Sequence, residues 1–292
     1  MSRNEDGATL GKCQLAASNR DFPTYQSVKL NIVPARTGIT WVKLGIQTFL
    51  RQPLALAGLF FMFFMAFVVL SALPYVGPVA AVVLMPGATL GMMAATRLAS
   101  EGSFPMPSVL LSAFRAGRER ARDMLILGAI YVVVLLAMVL AVSPFLGAET
   151  APEVPAAAAE AALARMRPGV LAYMVMQLPL VVLFAHAPAL VHWYGVPPLK
   201  SLFFSAVAFW RNLGAFAVFG AAWFAFLLAL GLALSFGFSL AGSQPGLEAM
   251  IPVALVAMSV MSTSMYFTFR DCFTAAPDDH ADLLDPPTGE DR

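Results

Sequence analysis

The sequence predicts an all-α integral membrane bundle of six transmembrane helices, with three amphipathic helices lying at one surface of the bilayer. Three observations carry that prediction. Six apolar segments, at residues 54–73, 76–96, 124–146, 170–193, 213–240 and 250–269, contain no Lys, Arg, Asp or Glu. Each is long enough, at about 1.5 Å per residue, to cross a hydrocarbon core of roughly 30 Å. Hydrophobic residues make up 59% of the chain and charged residues 12%, about half the charged share of a soluble domain. Finally, 16 of the 18 Lys and Arg fall before the first segment, in alternate loops or after the last, leaving only Arg165 and Arg167 on the other side. Positive charge is retained in the cytoplasm, so both termini are expected there, with the loop at 147–168 outside.

The elements follow in chain order. Residues 1–36 are rich in Ser, Asn, Asp, Gly and Lys without a sustained period, which predicts a disordered cytoplasmic tail. The opening residues are mixed and polar, so the first span is expected to act as its own targeting signal. Residues 37–270 form the membrane domain. Within 39–52, Ile39, Val42, Ile46, Phe49 and Leu50 make an apolar stripe and Thr40, Lys43, Gln47 and Arg51 a polar one. That is a helical period, too short to span and suited to the headgroup plane, where Trp41 would sit. Pro53 turns the chain into the first span.

Pro74, Gly77 and Pro78 close the first hairpin. A re-entrant hairpin over 54–96 is the alternative, since Arg51 and Arg97 fall on one side either way. The length of each arm favours two full spans. Residues 106–122 repeat the surface-helix pattern, with Val109, Leu110, Ala113, Phe114 and Gly117 opposite Ser108, Ser112, Arg115, Glu119 and Arg122. So do residues 197–211, with Leu199, Leu202, Phe203, Ala206 and Trp210 on one side and Lys200 and Arg211 supplying charge. The chain therefore reads as a unit of one surface helix and two spans, repeated. The Ala- and Pro-rich external loop is expected to hold a helical turn or two at 156–166. Residues 271–292 carry seven acidic side chains and one Arg, an acidic cytoplasmic tail. Cys13 and Cys272 are the only cysteines. Both fall on the reducing side, which argues against a disulfide.

Candidate functional residues form three groups. In the fifth span Ala217, Ala221, Ala225, Ala229, Ala233 and Gly237 recur every four residues, and Gly87 and Gly91 do so in the second. Small residues at this spacing allow close helix contact. The expected contact is within the chain, with a homo-oligomer as the alternative. Pro86 and Pro188 interrupt the second and fourth spans, where freed carbonyls can serve a substrate or be absorbed by the bundle. With Thr89, Gln177 and His186 they outline a candidate polar pocket. An ionisable residue inside a span is a functional candidate by default, yet His186 is expected to hydrogen-bond a carbonyl freed by Pro188. Finally, Lys43, Arg51, Arg115 and Arg122 lie on the polar stripes and suit anionic headgroups. No phosphate-binding loop, dinucleotide motif, nucleophile triad or metal spacing is present. No spanning carboxylate exists, which argues against an ion-coupled carrier.

Six runs carry a resemblance: VPARTGITW at 33–41, FLRQP at 49–53, MPGATLG at 85–91, APAL at 187–190, FWRN at 209–212 and YFTFRDCF at 266–273. In order and spacing they resemble a family of proteobacterial inner-membrane proteins without an assigned reaction. The resemblance covers roughly residues 33–273, and this sequence departs from it by the long N-terminal tail and the Ala-rich loop. The arrangement also looks like the membrane domain attached to some glycerophosphodiester phosphodiesterases, whose catalytic domain has no counterpart here. The resemblance implies a bacterial inner membrane and no chemistry. The expectation is a non-enzymatic protein that organises or senses the cytoplasmic leaflet, with membrane lipids as partners, no nucleic acid and no cofactor. A carrier for a small neutral or amphipathic solute, using the kinked spans, is the alternative.

Overall fold

The computed structural model describes residues 28–146, 168–242 and 247–275. The expected disorder of 1–27 and the expected helical turn at 156–166 lie outside the described residues, as do Cys13, Arg165 and Arg167. The elements in order are β1 (Val28–Leu30), α1 (Thr37–Arg51), α2 (Pro53–Ser71), α3 (Val76–Ser100), a 3-10 turn at Pro107–Leu111 leading into α4 (Ser112–Arg115), and α5 (Arg118–Leu146). Then come α6 (Pro168–Phe184), helical turns over 187–194, α7 (Pro198–Arg211), α8 (Leu213–Leu240), α9 (Leu247–Cys272) and β2 (Phe273–Ala275). Six helical stretches are long and apolar enough to cross a membrane. The fold is an all-α membrane bundle.

The first two spans are complete. With 19 residues in α2 and 25 in α3, they reach about 28 and 37 Å. Each is long enough for a full crossing. The hairpin between them closes tightly because Gly77 has no side chain: a Cβ there would lie 2.2 Å from the Leu70 carbonyl oxygen.

Each surface segment packs on the closing span of another unit. α1 packs on α9, residues 107–115 on α3, and α7 on α6 and the 187–194 turns. Backbone proximity makes each contact. A Cβ on Gly45 would meet the Ser264 Oγ at 2.0 Å, and one on Gly91 would meet the Leu110 Cα at 2.8 Å. Gly87 faces the Phe114 ring in the same interface. Gly87 and Gly91 therefore pack within the chain.

The structure departs from the sequence expectation at four places. Val28–Leu30 belong to the expected tail, yet they pair antiparallel with Phe273–Ala275. Three residues alternating in burial give a pattern too short to read as a strand, and the partner is at the far end of the chain. Next, the expected apolar stripe of α1 is divided. Gly38, Trp41, Val42, Gly45, Thr48 and Phe49 face the bundle, while Ile39 and Leu50 remain 58% and 68% exposed. Gly38 decides the rotation: a Cβ there would meet the Ala215 carbonyl at 2.3 Å, so this glycine face, not the aliphatic one, approaches α8. Trp41 is buried against Phe216, 5.2 Å between ring centroids, instead of lying in the headgroup plane.

Residues 106–122 are not one helix. Gly117 takes φ +108 and makes an elbow between α4 and α5, a conformation open to glycine. Finally, among the described residues nothing packs on the small-residue stripe of α8. Ala217, Ala221, Ala225, Ala229, Ala233 and Gly237 are all exposed, and nothing lies within 4 Å of a Cβ built on Gly237. The buried residues of α8 are Ala215, Phe216 and Trp223. The last two are seven apart, so they share one face, and burying large rings removes more apolar surface than burying alanines.

This assignment gives opposite outcomes for two substitutions of similar size. Gly45→Leu drives a side chain into α9 and should lower stability by about 1–3 kcal/mol. Ala225→Leu adds a side chain to an open face and should change the folding of the single chain by no more than about 0.5 kcal/mol. Thermal unfolding of the detergent-solubilised protein separates them. A large loss in Ala225→Leu would show that the α8 stripe is a packing face.

Candidate functional site

The sequence places one imidazole deep in the fourth span, and the structure breaks that span at the same point. α6 ends at Phe184, Ala185 and His186 form a bend, and helical turns resume over 187–194, ending in a π-helical turn at Leu190–Tyr194. Pro188 has no backbone N–H and sits in the first turn after the break, where none is needed. A regular helix would pair the His186 N–H with the Val182 carbonyl. Instead the Ser205 hydroxyl of α7 is inserted between them. It accepts from the His186 N–H at 3.2 Å and donates to the Val182 carbonyl at 2.7 Å. One side chain thus satisfies both groups that the break would orphan.

The His186 side chain is fully buried. Its Nε2 lies 3.1 Å from the Thr268 Oγ1 of α9. That hydroxyl donates its own proton to the Met265 carbonyl at 2.8 Å, so toward the imidazole it accepts. The network assigns the proton to Nε2. Rings of Phe216, Phe269 and Phe273 enclose the imidazole at centroid distances of 5.6–6.0 Å. The partner of His186 is therefore a hydroxyl on another span and not the carbonyl expected from Pro188. Phe269 and Phe273 stand between the imidazole and the cleft that they line. The His–Thr pair fastens α6 to α9.

Of the other candidate pocket residues, Pro86 and Pro188 are buried and Thr89 and Gln177 half-buried. The Thr89 hydroxyl donates to its own helix, at the Met85 carbonyl. None of the three cavities described below or under the further inference is lined by any of the five. Among the described residues no group of three His, Cys, Asp or Glu could hold a metal ion.

Three polar residues that the sequence did not single out hold the end of the bundle where β1 and β2 pair. Asn212 is buried between α7 and α8 and acts as a piece of backbone. Its Oδ1 accepts from the Val33 N–H at 2.8 Å, and its Nδ2 donates to the Asn31 carbonyl at 3.1 Å and the Ala208 carbonyl at 3.0 Å. Asp271 accepts from the Trp41 Nε1 at 2.8 Å and pairs with Arg270 at 2.9 Å. Arg120, in the first turn of α5, donates to the Val191 carbonyl. Gly195, at φ +73, leaves room for its guanidinium. A cation at the carbonyl end of a helix is favourable. Only FWRN at 209–212 and the adjacency of Arg270 and Asp271 offered any signal for these residues.

A cleft of about 400 Å³ opens at this end, where the second, fourth and sixth spans finish. Trp193, Tyr194, Tyr266 and Phe269 wall it, with Arg97 and Arg270 at the rim. Arg97 pairs with Glu101 at 3.1 Å and stands 5.9 Å from the Trp193 ring. Each guanidinium thus has a carboxylate beside it, so the cleft has little net charge to draw an ion.

The four cations proposed from sequence, Lys43, Arg51, Arg115 and Arg122, are exposed at this end. α1 and α7 share one design. α7 buries Pro198, Ser201, Leu202, Ser205 and Ala208 and leaves Leu199, Phe203 and Trp210 63–77% exposed. Lys200 and Arg211 are exposed beyond that strip. Position by position, Gly45, Phe49, Leu50 and Arg51 of α1 match Ser205, Phe209, Trp210 and Arg211. Each helix therefore has three faces: one in protein, one apolar and open, one polar and open.

Ser205 gives the sharpest test of the broken span. Ser205→Ala leaves the His186 N–H and the Val182 carbonyl without partners and should cost about 1–3 kcal/mol. Ser201→Ala removes only a local bond to the Pro198 carbonyl and should cost no more than about 1 kcal/mol. Equal unfolding midpoints for the two variants would mean that Ser205 does not splice the span.

One known protein matches at length. The chain is 35% identical over 262 residues, 82% of this chain and 92% of the other, to a probable inner membrane protein of Burkholderia thailandensis. No family model matches the chain. No solved structure matches it.

Proposed function

The chain belongs to the same family as that bacterial inner membrane protein, and from this premise we propose that it is a non-enzymatic protein of the inner membrane that organises or senses the cytoplasmic leaflet. Both termini lie in the cytoplasm in this reading, supported by the 16-to-2 division of basic residues. The observation that carries it is the three-faced form of α1 and α7. A helix resting on protein and surrounded by water has no use for Leu199, Phe203 and Trp210 beside its buried face. A helix resting on protein at the edge of a bilayer has: the open apolar strip meets acyl chains and the cationic strip meets headgroups. Membrane lipids, anionic ones foremost, are the partners. The exposed stripe of α8 is available to a second copy of the chain.

Hydrogen exchange tests the charge dependence. In anionic nanodiscs Thr37–Arg51 and residues 107–122 should be protected more than in zwitterionic ones, by roughly 1 kcal/mol per cation engaged. Changing Lys43, Arg51, Arg115 and Arg122 to Gln, or adding salt, should abolish the difference. Equal protection in both lipids would overturn the leaflet reading. The sidedness is tested apart from this: a cysteine at position 157 should react with an impermeant thiol reagent in spheroplasts and one at position 18 should not. The reverse pattern would invert the topology.

A further inference from the structure

The first hairpin contains a groove that the bundle does not fill. It runs between α2 and α3, is closed by the 3-10 turn at Pro107–Leu111, and has a volume of about 460 Å³. Ala66, Leu70, Leu84, Ala88, Leu110 and Phe114 are among its walls, and Ser108 is the single polar side chain. Along α2 the lining extends from Met62 to Leu70, about 12 Å of helix. Its lining is apolar and elongated, so a matching occupant is apolar and flexible.

The end of the groove says what else the occupant carries. Phe114 is followed at once by Arg115, then by the Gly117 elbow and Arg118. Both arginines are exposed. On the far side of the elbow an open, mostly apolar strip runs along one face of α5, from Arg118 and Arg122 over Leu125, Ile126 and Ala129. An apolar groove and an apolar helix face thus flank one cationic elbow. Against Arg115, Arg118 and Arg122 stand two acids, the exposed Glu119 and the half-buried Asp123, which lies within electrostatic reach of Arg122, so the excess cation falls at Arg115 and Arg118, while Arg120 is turned inward to the Val191 carbonyl.

We propose that this elbow binds one anionic diacyl phospholipid of the cytoplasmic leaflet, with one acyl chain in the α2–α3 groove, the other along the open apolar face of α5, and its phosphate at Arg115 and Arg118. A free fatty acid would account for the groove and not for the apolar face beyond the elbow. A zwitterionic lipid would leave the charge of the elbow unmatched. Guanidinium groups suit the phosphate because each presents two parallel N–H donors to its oxygens. The site takes its leaflet from the preceding reading. Its test reads lipid stoichiometry and affinity at Arg115 and Arg118 and uses α1 only as a control, whereas hydrogen exchange over Thr37–Arg51 alone reads the leaflet proposal, so the two fail separately.

The full-length protein, delipidated in detergent, is titrated with phosphatidylglycerol or phosphatidylcholine of identical chains and read by native mass spectrometry. Phosphatidylglycerol should bind more tightly. Arg115→Gln with Arg118→Gln should weaken phosphatidylglycerol roughly thirtyfold and phosphatidylcholine, whose choline already offsets its phosphate, by clearly less. Ala66→Trp, which fills the groove from an exposed position, should weaken both lipids. Lys43→Gln with Arg51→Gln should leave the affinity of the first, tightest phosphatidylglycerol bound unchanged, whatever it does to weaker binding at α1. All these substitutions are at exposed positions, and unfolding midpoints verify that the variants are folded. Equal affinity of the native protein for the two lipids, an unaffected Arg115/Arg118 variant, or full displacement by equimolar oleate would overturn the proposal.

Discussion

Hydrocarbon offers no hydrogen bonds, so a span that breaks must be mended by protein. The fourth span breaks at Ala185 and His186, and the hydroxyl of Ser205 mends it. Much of the bundle depends on that splice. Ser205 reaches the gap only if α7 lies directly on α6, and α7 lies there only because Ser201, Ser205 and Ala208 make its inner face narrow. Once α7 is fixed, Asn212 at its end is fixed too. Asn212 then binds the chain at residues 31–33, drawing β1 across the ends of α8 and α9. A local defect in one span thus sets the position of a segment far away in sequence.

The same arrangement recurs with different chemistry. Where α7 uses a serine, α1 uses Gly45 against Ser264, and residues 107–115 are met by Gly91 of α3. In each case a surface segment approaches the backbone of a closing span from another unit. Since α1 takes the last span and the others take the first and second closing spans, the three contacts form a closed cycle. Small residues are used here because a polar or ordered contact needs the backbones close. Along α8 small residues recur more regularly, yet no described element covers them. Period alone does not identify an interface; it must coincide with a partner's backbone.

The spans were legible because lipid imposes a length and forbids charge, and both constraints are local. The elbow at Gly117 was not, because one glycine in an amphipathic run is compatible with a helix until tertiary contact selects its φ. The rotation of α1 was hidden for a related reason. Hydropathy ranks Ile39 and Leu50 above Gly38 and Gly45, but packing against a backbone reverses the order. His186 was recognised as a notable residue and its partner was not: Thr268 lies 82 residues away, and no spacing links them. Ser205, Asn212 and Arg120 give no signal of these contacts in the sequence, because a single hydroxyl, amide or cation at a helix end carries no pattern. Their roles exist only in the assembled bundle.

What the interior does with its polar groups bears on what the protein handles. Hydroxyls of Thr89, Thr96, Ser201, Ser205, Thr263 and Thr268 all donate to backbone carbonyls. The imidazole of His186 is packed among three phenyl rings. A path for a polar solute needs such groups facing a cavity and free to exchange partners. The six hydroxyls are spent on the backbone, while the Nδ1 of His186 and the hydroxyl of Ser262 are buried without a hydrogen-bond partner. The apolar groove between α2 and α3 is lined by none of these groups, nor by Ser205 or Thr268. Filling that groove therefore requires no rearrangement of the splice at Ser205 or of the His186–Thr268 contact.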